Sequence, residues 1–249
     1  MYRNYIFDLY GTLVDIHTDE EKQEVWEKLS LFYGYYGAVY KPHELKKAYQ
    51  CLADTGEYTH DSHEAYPEIQ IEAVFRSLYM AKGISPSDEL VLHTGQFFRV
   101  LTTKHLKLYE GVTEMLERLK RLGKKLYLLS NAQRIFTEYE LRRLGIDGYF
   151  DGILISSDCG VKKPDPEFFE RLLYTYQLHP EECLMIGNDE QTDIAGASRM
   201  GMDTFYVHSN ISPECRQTVQ ATYVQMEMNI GRLCETLGMT ESQEGEVNR

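Results

Sequence analysis

The chain has 249 residues, 43% of them hydrophobic and 26% charged, with a formal net charge of −13. This is enough for one large domain, or for a core domain with a smaller one inserted. The acidic balance argues against nucleic acid and anionic membrane surfaces as partners, because both recruit clustered Lys and Arg. It also means that an anionic substrate must be captured locally, against the field of the whole molecule.

Residues 4–9 form a short apolar, β-prone run that ends at Gly11, which predicts a buried strand and a tight turn. Asp19-Glu20-Glu21 opens an amphipathic helix with Val25, Trp26, Leu29, Phe32 and Tyr33 on one face. Further helices are expected near 43–52, after Pro67 and after Pro86, with no strand between about 17 and 100. From Gly111 the pattern alternates. The helices are expected at 111–122, 132–144, 166–177, 191–200 and 229–237. The strands are expected at 125–129, 152–156, 183–186 and 204–207, with a weaker one at 223–226. Strands alternating with helices predict right-handed βαβ units, a parallel sheet and hence an α/β fold. The polar residues 241–249 are expected to form a flexible tail.

Five cysteines are scattered without a C-x-x-C spacing, so free thiols are expected rather than a disulfide framework or a zinc site. No apolar run reaches membrane-spanning length, and no basic and then apolar leader opens the chain, so a cytoplasmic location is expected.

In an open parallel sheet, ligands bind at the carboxyl ends of the strands. Asp8, Ser130, Lys163 and Asp189 each fall at or just after a predicted strand end. Asp8 suits a carboxylate nucleophile, and the Gly11-Thr12 turn can aim backbone N–H groups at an anion. Ser130 and Asn131 offer hydrogen-bond donors, and Lys163 offers positive charge. Asn188, Asp189 and Asp193 offer oxygen ligands to a hard cation such as magnesium. Together these are the parts of an in-line phosphoryl displacement.

Four motifs resemble, in order, those of the haloacid dehalogenase-like hydrolases: Asp8-Leu9-Tyr10-Gly11-Thr12-Leu13, Leu129-Ser130-Asn131, Lys163-Pro164-Asp165-Pro166, and Gly187-Asn188-Asp189 with Asp193-Ile194-Ala195-Gly196-Ala197. The resemblance implies a Rossmann-like doubly wound parallel sheet, with residues 17–100 inserted as an all-helical cap into a core made of 1–16 and 101–240. It implies that Asp8 is the nucleophile and that Ser130, with Asn131 nearby, binds the transferred group. Lys163 would hold nucleophile and group together. In the family's phosphatases, Mg2+ is held by the nucleophile, the carbonyl two residues later (here Tyr10) and an acid of the last motif.

Two departures bear on the leaving group. Tyr10 stands where those phosphatases carry a second Asp, and with an ordinary pKa near ~10 it is a poor acid at neutral pH. Asn188 stands where they mostly carry Asp. The family's 2-haloacid dehalogenases have Tyr at the first position and need no metal. They also use a cap arginine soon after the first motif, and this chain has none between Arg3 and Arg76. The expected function is therefore a magnesium-dependent phosphatase of a small anionic metabolite, acting as a monomer or homodimer. A metal-independent 2-haloacid dehalogenase and a catalytically weak ligand- or protein-binding relative are the alternatives.

Blander roles compete at several positions. Ser130-Asn131 would cap the helix that follows, Asp193 suits a helix start, and Tyr10 suits packing as well as catalysis. His60, His63, Glu64 and Tyr66 fall in a polar break between cap helices, where a substrate-facing loop is expected.

Overall fold

The computed structural model of the protein describes residues 2–54, 66–214 and 218–239. The chain begins with β1 (Asn4–Phe7) and β2 (Val14–Thr18). It continues through α1 (Gln23–Tyr35), α2 (Pro42–Asp54), α3 (Ile71–Met80) and α4 (Asp88–Thr102) into β3 (Thr103–Leu108). Then come α5 (Val112–Arg121), β4 (Lys125–Ser130), α6 (Arg134–Leu144), β5 (Gly152–Ile155), α7 (Ser156–Cys159) and α8 (Pro166–Tyr176). The last elements are β6 (Cys183–Gly187), a wide helical turn at Glu190–Ala195 that runs into α9 (Gly196–Arg199), β7 (Asp203–Val207), β8 (Tyr223–Gln225) and α10 (Leu233–Thr236).

Six of the strands form a parallel sheet in the order β5-β4-β1-β6-β7-β8. The first strand lies in the middle, with Ile6 opposite Tyr127 on one side and Met185 on the other. Alternate residues feed two separate cores. Tyr5, Phe7, Leu126, Leu128, Leu184 and Ile186 pack with Met115, Leu116 and Leu119 of α5 and Leu233 of α10. Ile6, Tyr127, Leu129 and Met185 pack with Phe168, Phe169 and Leu172 of α8. Helices on both faces explain why these strands read as unbroken apolar runs instead of alternating ones.

Helices α1–α4, the stretch expected as the cap, share a core of their own: Trp26, Leu29 and Tyr33 of α1 meet Tyr49 of α2, Phe75 and Tyr79 of α3 and Phe98 of α4. Their spacing of three or four residues puts them on one face of each helix. Trp26 is 2% exposed, and its indole N–H is satisfied by the Glu20 carbonyl at 2.6 Å. A buried aromatic of this size contributes about 1.5–3 kcal/mol, so this small layer has a substantial core. Ile135 and Phe136 of α6 join the cap's cluster. Gly95 of α4 allows that approach, since a Cβ there would lie 2.5 Å from Ile135.

One feature at the edges of the insertion was not expected. The chain enters and leaves the cap as an antiparallel ribbon, with Val14 opposite Leu108 and Ile16 opposite Leu106. The alternation in Thr-Lys-His-Leu-Lys-Leu is too polar to announce a strand, and β2 follows the first turn so closely that it reads as the approach to a helix. Among the described residues no helix is long and apolar enough to cross a membrane.

Candidate active site

Chain reversal on either side of β1 brings the carboxyl ends of β1, β4 and β6 together, the place where open α/β sheets bind ligands. Asp8 follows β1 directly, Ser130 ends β4, and Asn188 follows β6. Asp8 is 7% exposed, Ser130 1% and Asn188 5%. Lys163 arrives from the segment between α7 and α8 and is buried.

Lys163 is the centre of the arrangement. Its Nζ lies 2.7 Å from Asp8 Oδ1 and 2.7 Å from Asp193 Oδ1, and it donates to the Leu129 carbonyl at 2.8 Å. Burial favours the neutral amine, but the two carboxylates outweigh it and hold Lys163 above the ordinary lysine range. The trio has two acids for one ammonium. Burial, reinforced by the charge of Asp8 and opposed by Lys163, raises the pKa of the Asp193 carboxyl. Among the described residues, the second oxygen of Asp8 accepts only a long hydrogen bond from Thr12 Oγ1, at 3.2 Å, and that hydroxyl also lies 3.4 Å from Asn188 Oδ1. Oδ2 is thus the less committed of the two carboxylate oxygens.

Gly11 shapes the turn. Its φ is +91°, which L side chains rarely adopt, and a Cβ would strike the Asn188 side chain. Thr12 is fully buried, and its main-chain N–H donates to the Leu9 carbonyl at 3.3 Å.

The other sequence-derived candidates are placed as follows. The Asn131 amide is spent on the main chain of Lys163: Nδ2 donates to its carbonyl at 3.0 Å and Oδ1 accepts from its N–H at 2.8 Å. Asp189 caps the helical turn after β6, its Oδ1 accepting from Gln191 N–H at 2.8 Å and Thr192 N–H at 3.1 Å. The remaining oxygen of Asp193 accepts from the Asp189 N–H at 3.0 Å. The Tyr10 hydroxyl donates to Glu140 at 2.5 Å and lies 3.0 Å from Thr137 Oγ1, both on α6. Burial and the Glu140 charge push its phenol well above the ordinary tyrosine range. His60, His63 and Glu64 lie outside the described residues.

Oxygen donors for a cation are correspondingly few. Asp8 Oδ2 and Asn188 Oδ1 converge on one hydroxyl, while both oxygens of Asp193 and one oxygen of Asp189 have other partners. Among the described residues no group of three or more His, Cys, Asp or Glu is placed to hold a metal. Such a donor set fits magnesium, which keeps several waters and takes one or two protein ligands besides substrate oxygens. It does not fit an ion that demands a full cage of side chains.

Three residues that sequence reasoning missed line the cleft, and a fourth, Glu140, grips one of them. Between cap and core lies a cavity of about 730 Å³, lined by Tyr10, Glu68, Arg99, Asn131, Gln133 and Lys162 among others. Arg99 of α4 is gripped by Glu140, with Nε 2.6 Å from Oε1 and an NH2 group 3.2 Å from Oε2. Glu68, buried before α3, accepts from Ser156 Oγ at 2.6 Å and Gln133 Nε2 at 3.1 Å. Gln133 also accepts from the Ile71 N–H at 3.0 Å and donates to the Ile69 carbonyl at 2.9 Å. The main chain on either side of Glu68 pairs with the approach to Lys163, through Lys162 N–H to the Tyr66 carbonyl at 3.1 Å and Glu68 N–H to the Gly160 carbonyl at 3.0 Å. Glu68 falls just past the polar break that the sequence marked, where a helix was expected after Pro67; the helix begins instead at Ile71. The partners of Glu68 are 65 and 88 residues away, and no local signal pairs them.

A family model described as haloacid dehalogenase-like hydrolase matches residues 2–201. Glyceraldehyde 3-phosphate phosphatase from Pyrococcus abyssi is 33% identical over 102 residues, which are 41% of this chain and 43% of that protein. Phosphoserine phosphatase from Thermus thermophilus is 32% identical over 143 residues, 57% of this chain and 56% of that protein. The chain therefore spans about half the length of these curated relatives. Among solved structures, a 2-haloacid dehalogenase from Pseudomonas syringae pv. Tomato has a TM-score of 0.65 at 23% identity, covering 96% of this chain and 99% of that one.

Proposed function

The chain belongs to the haloacid dehalogenase-like hydrolases, and from that premise we propose that it is a phosphatase of small phosphorylated metabolites with Asp8 as its nucleophile. The observation that carries the reading is the arrangement around Asp8: one carboxylate oxygen neutralised by a buried lysine at 2.7 Å, the other left with a single long hydrogen bond. The phosphatase names of the matched relatives support the choice of leaving group.

In this reading Asp8 Oδ2 attacks phosphorus. A bond forms between that oxygen and phosphorus as the bond to the leaving oxygen breaks, and the electron pair departs with the leaving group, which takes its proton from solvent or from the substrate. Lys163 holds Asp8 Oδ1 throughout, fixing the carboxylate plane and offsetting charge on the transferred group. Water then attacks phosphorus, the bond to Asp8 breaks, and inorganic phosphate leaves. Closure of the cap over the cleft excludes bulk water during the first step. Asp8 and Asn188 would hold magnesium, which when bound supplies further neutralisation of the phosphoryl oxygens.

The test is release of inorganic phosphate from a panel of phosphomonoesters, with magnesium and with excess chelator, beside chloride release from 2-chloropropionate. Magnesium-dependent phosphate release that is lost in Asp8→Asn is expected. Chloride release without metal would overturn the reading. Magnesium alone should also raise the thermal midpoint of the protein, and Asn188→Leu should abolish that shift without any substrate present.

A further inference from the structure

Tyr10 follows Asp8 by two residues, yet its hydroxyl is committed to α6, donating to Glu140 Oε2 and lying 3.0 Å from Thr137 Oγ1. Glu140 is 5% exposed, and the same carboxylate accepts from Arg99 Nε and from one of its NH2 groups. The Arg99 guanidinium lies 5.7 Å from the centre of the Tyr10 ring and 5.1 Å from that of Phe136. Glu140 therefore adds a side-chain link between two segments that the β2–β3 ribbon already joins through the main chain: the loop that carries the nucleophile, and the end of α4 just before the chain leaves the cap through β3. Forked Arg–carboxylate pairs are geometrically strict, and removing one partner of a buried pair is costly, so the junction favours one arrangement.

We propose that Tyr10 is a positioning residue, whose hydroxyl ties the Asp8 loop through Glu140 to Arg99 at the base of the cap, so that cap and nucleophile shift together. This rests on the reading of Asp8 as the nucleophile. It assigns Tyr10 no proton transfer. The packing of Arg99 over the Tyr10 ring gives the cap a second hold on the same loop. Because Arg99 and Phe136 also line the substrate cleft, a substrate that moves the cap would be felt at Asp8 through this junction.

Tyr10→Phe keeps the ring and removes only the hydroxyl. The thermal midpoint should change little, while amide hydrogen exchange should rise both in residues 8–16 and in residues 92–104. For phosphate release, kcat should fall by about tenfold to a hundredfold at unchanged KM, as expected for a misplaced nucleophile. The factor should be the same for p-nitrophenyl phosphate and for phenyl phosphate, whose leaving group is more basic. A much larger loss with phenyl phosphate would make Tyr10 a proton donor and overturn the proposal. An exchange change confined to residues 8–16 would also overturn it. Glu140→Gln retains an acceptor for Tyr10 while weakening the grip on Arg99, and it asks the same question should Tyr10→Phe fold poorly. Wild-type protein that releases no phosphate from either ester would defeat the phosphatase reading only; the exchange measurement then decides this proposal alone.

Discussion

The side chain of Asn131 carries the main chain of Lys163, closing a two-bond ring with its N–H at 2.8 Å and its carbonyl at 3.0 Å. A residue at the end of one strand thereby fixes the approach of the lysine that follows the next. Asn131→Ala would leave a buried N–H and a buried carbonyl without partners. Each such loss costs about 1–3 kcal/mol, so a destabilisation of about 2 kcal/mol or more is expected in urea unfolding, with a parallel fall in turnover. A change below ~0.5 kcal/mol would show that the ring does not hold the loop.

The imbalance of charge around Lys163 separates its two acids from their counter-ion experimentally. Asp8→Asn removes the nucleophile but leaves Lys163 paired with Asp193. Activity should fall by about a thousandfold or more while the thermal midpoint stays level or rises. Lys163→Met instead strands two buried carboxylates and should cost about 3–5 kcal/mol. If both variants were equally stable, the electrostatic account of the trio would fail.

Gly11→Ala tests the turn. The required φ of +91° and the contact with Asn188 act together, and strained backbone of this kind costs about 1–3 kcal/mol. The expected signature is a lowered unfolding midpoint combined with loss of the magnesium-induced thermal shift, because Asn188 must move.

Glu68 should leave its mark on stability against pH. Burial raises its carboxyl pKa above the ordinary value, opposed by hydrogen bonds led by that from Ser156. The folded state then binds the proton more tightly than the unfolded chain. Its contribution is present below the unfolded pKa of about 4.3 and is lost as pH rises through the folded value. Urea unfolding in the absence of metal between pH 4 and pH 8 should therefore show a component of stability that declines with pH and vanishes in Glu68→Gln. An identical slope in the variant would mean that Glu68 titrates alike in both states.

The sheet was legible because its strands are buried on both faces, so β1, β4 and β6 stand out as apolar runs closed by Gly11, Asn131 and Asn188. The positions of Asp8 and Ser130 follow from that; Lys163, expected at a strand end, instead lies beyond a short helix, α7, that separates it from β5. What the sequence hid is the pairing of polar groups across the cap. Nothing local in the sequence marks Glu140 or Arg99; packing of α4 against α6 turns them into a mostly buried pair. Tyr10 was ambiguous for the same reason, since its neighbours on α6 are 127 and 130 residues away. The ribbon of β2 and β3 was concealed by polarity, and Asp189 by the double suitability of acids for helix starts and metals.

The central place of the first strand also sets an order of events during synthesis. β1 is made first, yet its two neighbours begin at Lys125 and Cys183. The four cap helices, whose contacts are mostly local, are complete by residue 102, when the sheet still has only one of its six strands. A growing chain on the ribosome therefore carries a wholly apolar Tyr5-Ile6-Phe7 segment that has no strand partner until about half of these residues have been made, and a partner on one edge alone until nearly three quarters have. Contacts spanning such separations form slowly, and unpaired strand edges are prone to aggregate. Shielding of that segment during translation, not the stability of the finished fold, is where heterologous production of this protein should prove most sensitive.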